Sequence, residues 1–153
     1  MGRDESPATQ FGRFLRKYSP AVAADARAAL TRLRKLIPGA VELVYDNYNA
    51  LVIGFGPTER ASEAVVSLAV FPRWVTLCFI QNGPDIPDPG GLLKGAGNVV
   101  RHVRLQSAKD LDKPAIRALL KHAFTLADGQ IDPGGRRRMV IKSISAKQRP
   151  RRS

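Results

Sequence analysis

The sequence predicts an α+β domain of two layers, a mainly antiparallel five-stranded sheet flanked by an N-terminal and a C-terminal helix. Apolar residues recur at helical spacing towards both ends of the chain, in Val22, Ala26, Leu30, Leu33 and Ile37 and again in Ile116, Leu119, Leu120, Ala123 and Ala127. Between these stripes lie short runs rich in β-branched and aromatic residues, at 41–46, 48–55, 64–71 and 74–80, separated by tight polar or Pro/Gly breaks. Helices segregated to the two ends of a run of strands pack as one layer on an antiparallel sheet.

Taken in order, Phe11, Phe14, Leu15 and Tyr18 fall at i, i+3, i+4 and i+7 and predict a short lead-in helix that breaks at Ser19-Pro20. Residues 1–10 before it read as a disordered N-terminus. Ser19 caps the next helix with Pro20 in its first position, and Pro38-Gly39 stops it. Asp46-Asn47, residues 56–60 and Pro72-Arg73 supply the turns between consecutive strands. Residues 81–91 form a Pro/Asp/Gly-rich loop, and 98–105 alternate as a fifth strand. The last helix opens near Asp112-Lys113-Pro114 and closes at Asp128-Gly129, with Lys113, Arg117 and Lys121 as a solvated basic row.

A chain of 153 residues with 44% hydrophobic content can bury its own core, here as a single domain over 11–135. One cysteine excludes an internal disulfide, and Cys78, inside an apolar run, reads as a buried and unreactive thiol. The polar start and the lack of a long apolar run predict a cytoplasmic protein without a membrane partner. The net charge of +12 is unevenly spread. Eight of the 25 lysines and arginines lie in a basic C-terminal tail, 136–153, while all 13 acids precede it, which leaves the rest of the chain at +4. The tail holds Arg136, Arg137, Arg138, Lys142, Lys147, Arg149, Arg151 and Arg152. An arm of that density either binds nucleic-acid phosphates, chiefly through Arg136, Arg137, Arg138, Lys142, Lys147 and Arg149, or serves as a solvated tail. Residues 139–145 carry enough β-formers to add an edge strand, and 146–153 read as disordered.

Lys94 stands in the glycine-rich stretch 89–97. Such a loop can hold an anion on its N–H groups, or it simply turns the chain into the next strand. It is neither a P-loop nor a dinucleotide fingerprint, because strand-like alternation follows Gly97 where either motif needs a helix. That alternation puts Arg101 on the apolar face with Val99, Val103 and Leu105. A cation there needs a carboxylate, backbone carbonyls or an acidic ligand, unless a bulge turns it outward. Tyr45, Asn47, Tyr48 and Asn49 cluster where a strand turns, either as turn-formers or as ligand contacts. His102 and His122 have no serine or cysteine evidently placed to be activated, and the paired acids Asp85/Asp88 and Asp110/Asp112 suit caps and turns. No catalytic residue, cofactor or metal site is predicted.

The order of these pieces resembles a known family. Tyr18-Ser19-Pro20 leading into an alanine-rich helix, the run 42–50, Phe71-Pro72-Arg73-Trp74-Val75, Leu92-Leu93-Lys94-Gly95-Ala96-Gly97 followed by Val100-Arg101, and the helix after Asp112-Lys113-Pro114 are similar to the YdhG-like family, domain of unknown function 1801. The resemblance covers roughly residues 10–128, and the closing 145–150 is similar to tails in one branch. It implies a small bacterial cytoplasmic α+β domain, in a family where one relative is described as an iron chaperone. The chain departs from it at Tyr45-Asp46-Asn47-Tyr48, where the family often has Tyr-Gly-x-Pro, and its scattered acids do not suit iron delivery.

The reading is therefore a non-enzymatic binding module, with Tyr45, Asn47, Asn49, Lys94 and Arg101 lining a pocket for a small anionic ligand or an acidic protein segment. The alternative is a nucleic-acid-associated protein acting through its basic tail.

Overall fold

A computed structural model describes residues 5–152. Ser6 and Ser19 begin the first two helices in the same way, each accepting a bond from the backbone N–H three residues on and each followed by proline. Helix α1 is Pro7–Leu15 and α2 is Pro20–Leu36. Residues 7–10, expected to be disordered, are therefore helical, because Ser6-Pro7 is as good a start signal as Ser19-Pro20. The rest of that expectation falls partly on residues 1–4, outside the described residues. Gly39, at φ +82°, turns the chain out of α2 where any side chain would strike the Asp132 carbonyl.

The strands are β1 Val41–Asp46, β2 Leu51–Gly56, β3 Val66–Val70, β4 Val75–Phe79, β5 Arg101–Leu105 and β6 Arg138–Ile144. The fold is α+β, but the sheet has six strands where five were expected, and it is mixed where an antiparallel one was expected. β1 to β5 run as an antiparallel meander, and β6 returns beside β1 in parallel, giving the order β5-β4-β3-β2-β1-β6. The tail thus supplies a strand that crosses back to the first edge of the sheet. A long connection containing helix α3, Pro114–Leu126, makes a parallel return possible.

Two strands, β2 and β5, start three residues later than their apolar runs suggest. Asn47 N–H bonds the Ala50 carbonyl (3.0 Å), closing a turn that lifts Tyr48 and Asn49 out of β2. Residues 98–100 are drawn out of β5 because the Val99 carbonyl accepts from Gly83 N–H (2.7 Å).

One face of the sheet carries Val44, Leu51, Ile53, Phe55, Val66, Leu68, Val70, Val75, Leu77, Phe79, Val103 and Leu105, which share one core with the apolar stripes of the three helices. Tyr18, 1% exposed, ties the layers together: its hydroxyl donates to the Val70 carbonyl (2.7 Å) and accepts from Leu51 N–H (3.1 Å). Two acids of β1 interrupt this face, Glu42 and Asp46, both fully buried. Arg34 of α2 grips Glu42 through two bonds of 2.8 Å, and Arg137 reaches the same carboxylate at 3.5 Å. Lys17, between α1 and α2, bonds Asp46 at 2.7 Å. No helix among the described residues is long and apolar enough to cross a membrane.

Candidate functional site

The opposite face of the sheet is built from small residues. Ala64 packs on Gly54 and Gly56, and the neighbouring row Arg104, Thr76, Ala69, Val52 and Tyr45 runs across five strands. Where only Val52 and Ala69 form the floor, a groove of about 1010 Å³ opens. Its walls come from the two hairpin turns at that end of the meander, with Asn47, Tyr48 and Asn49 on one side and Phe71, Pro72 and Trp74 on the other. Ser145, Arg149 and Pro150 of the tail complete it. A volume of this size holds a small organic ligand.

Three aromatic rings line the groove with one guanidinium group, Arg149, and a second, Arg104, lies beside the lining on Trp74. Arg104 lies 4.0 Å over the ring of Trp74, and Phe71 is 6.0 Å from Trp74, centroid to centroid. Arg149 lies 5.7 Å from the centroid of Tyr48, which is 49% exposed despite its size. Cations held on ring faces keep a fixed direction at the modest gain of about 0.5–1 kcal/mol each.

Residues 146–152 are held here, contrary to the disorder expected of 146–153, of which Ser153 lies outside the described residues. Ser145 N–H bonds the Asp46 carbonyl (2.8 Å) and Arg149 N–H the Tyr48 carbonyl (2.9 Å). Arg151, only 5% exposed, pairs with Asp46 at 2.9 Å and donates to the carbonyls of Asn47 and Tyr48. Arg152 reaches the carbonyls of Lys17 and Arg16. An arginine with that many acceptors is worth burying, and it fixes the segment before it. Burial alone would push the Asp46 carboxyl up, yet bonds from Lys17, Gln148 and Arg151 outweigh it and hold the group below the usual carboxylate range.

No family model matches this chain, and neither a curated protein nor a solved structure does.

The residues expected to form one pocket divide into three groups. Asn47 and Asn49 line the groove. Tyr45 shares its face, paired with Val52, but is not among the lining residues, and burial raises its hydroxyl above the usual range. Lys94 and Arg101 lie at the far edge: β5 is four strands from β1, about 19 Å at the usual spacing. Arg101 does face the helix side, opposite Phe79, and its partners are the backbone carbonyls of Val100 (2.9 Å) and Gly97. Lys94 is exposed and bridges His102 through backbone bonds, with Gly95 at φ +115° shaping the turn. Tyr45, Lys94 and Arg101 therefore do not converge.

Of the basic tail residues, Arg137 and Arg138 are paired to Glu42 and Glu59, and Lys142 bonds the Glu59 carbonyl. Arg136 and Lys147 are exposed, and Arg149 alone lines the groove. Cys78 is half-buried, its thiol pushed up by burial and only partly countered by Ser67, as expected of an unreactive sulfur. Asp88 accepts Leu92 N–H (2.9 Å) and Leu93 N–H (2.8 Å), and Asp110 accepts Gln106 N–H (2.7 Å), so both acids serve loop geometry. Sequence reasoning missed Phe71 and Trp74 as lining residues, and Arg104 as the cation on Trp74. The available signal was that the turns at Asp46-Asn47 and Pro72-Arg73 fall at the same end of a meander.

Proposed function

We propose that this chain is a non-enzymatic binding domain that takes a small anionic ligand with a flat apolar part in the groove of the open sheet face. The observation that carries this is one groove, with a floor of small residues, that is lined by Tyr48 with Arg149 on its ring and by Trp74, whose ring carries Arg104 just outside the lining. Rings offer a flat apolar contact and guanidinium groups a forked anion contact, so the two together select a ligand having both features. The expected anion site thus moves from the loop of Lys94 and Arg101 to the two hairpin turns. Within the same proposal, the turn and loop motifs resemble the YdhG-like family, and a bacterial cytoplasmic setting follows from that resemblance. The basic tail enters this reading as a wall of the groove, with Arg149 as its contributed cation.

Trp74 is the single tryptophan of the chain, so its fluorescence reports the groove directly. Adenosine monophosphate should quench it saturably, and Arg149→Gln should weaken that binding by about tenfold, the loss of one charged hydrogen bond. Lys94→Ala should leave it unchanged. Quenching lost in Lys94→Ala but kept in Arg149→Gln would return the site to the glycine loop and refute this reading.

A further inference from the structure

We infer that the natural occupant of this groove is single-stranded nucleic acid, an assignment that rests on the groove being the ligand site. Arg149, which follows the edge strand β6, lines the groove, and Arg104, from the opposite edge strand β5, lies on the ring of Trp74 just outside the lining. A ligand held at Arg149 in the groove meets Arg104 only by running on past Trp74, as a strand bearing one negative charge per residue can. An acidic peptide would meet the same arginines but would leave Tyr48, Phe71 and Trp74 without flat partners, and these rings line the groove beside the cations. Bases of a single strand offer a flat face at every residue, while those of a duplex are stacked on each other and closed to the rings. The chain's net charge of +12 adds a long-range attraction for a polyanion.

Stacking on the rings is sequence-tolerant, because every base has a flat face. Two arginine contacts set a slope of log affinity against log salt near about −1.4.

The test follows fluorescence anisotropy of a labelled oligo-dT of about ten residues, a length matched to one small domain, together with Trp74 quenching by the unlabelled strand. Binding with that slope is expected, with Tyr48→Ala weakening it by about tenfold or more through lost stacking. Arg149→Gln should reduce the slope by about 0.7. Three results would overturn the inference while leaving the groove as a ligand site: adenosine monophosphate binding as tightly as the strand, poly-glutamate quenching Trp74 equally well, or duplex DNA competing on equal terms. Oligo-dT binding that ignores Tyr48→Ala and leaves Trp74 unquenched would overturn it too, by placing the strand elsewhere. If no anion quenches Trp74 at all, the proposed site itself fails and this inference fails with it.

Discussion

Asp46→Ala destabilises the fold by about 3–5 kcal/mol and releases the C-terminal segment from the sheet. Asp46 is fully buried and is the only carboxylate paired with Arg151 among the described residues, so its removal strands a guanidinium that is 5% exposed. Lys17 loses the same partner but is partly exposed and can turn to water. The Nε of Arg151 already lacks an acceptor, which leaves little slack for a second unmet demand. Because the folded Asp46 carboxyl titrates below its ordinary value, its contribution is complete above the unfolded pKa of about 3.9 and is lost as pH falls through the folded one. Denaturant unfolding should therefore separate Asp46→Ala from the parent at neutral pH and bring the two together in strong acid. Limited trypsin digestion should cut the variant at Lys147 and Arg151 much faster than the parent. A loss under about 1 kcal/mol with unchanged cleavage would mean that Asp46 does not anchor the tail.

Arg34→Ala is the second large effect, a loss of about 3 kcal/mol, at the low end for a broken buried pair. Glu42 is fully buried, held by two bonds of 2.8 Å from Arg34 and a longer one of 3.5 Å from Arg137. Arg137 is 44% exposed at its side chain and can close in, which softens the penalty. Replacing both partners with apolar residues of similar length, in the double variant Arg34→Met with Glu42→Met, should recover most of the loss, since no charge is then left alone in the core. Unfolding free energies of the two single variants and the double variant measure this. A double variant as unstable as Arg34→Ala would show that the packing of the arginine stem, and not the orphaned carboxylate, sets the cost.

The helices and the first five strands were legible because their signals are local. Serine-proline starts, apolar stripes and turn residues act within a few positions, and they place α2 and β1 within a residue of where they lie. The sixth strand is different. The β-formers of 139–145 already read as an edge strand, but which edge it joins, and that it joins in parallel, depends on β1 offering a free edge far away in sequence, which no local pattern encodes. Arg101 was legible in the same local sense, since alternation correctly placed it on the helix side, but what meets it is the carbonyl of its own loop. The expected pocket failed on topology. Consecutive antiparallel strands lie side by side in chain order, so Tyr45 on β1 and Lys94 beside β5 stand at opposite ends of the meander. The same rule brings the 47–49 and 71–74 turns to one end, and the groove follows from it.

Where an anion binds decides whether the groove is the ligand site. Backbone amide and indole resonances, followed by NMR as adenosine monophosphate is added to the full chain, answer this residue by residue. Shifts should concentrate on Asn47, Tyr48, Asn49, Arg149 and the Trp74 indole, with Lys94 to Arg101 unmoved. Shifts confined to Lys94 through Arg101, or to Arg117 and Lys121 beside the smaller cleft of about 380 Å³ between α2 and α3, would contradict it.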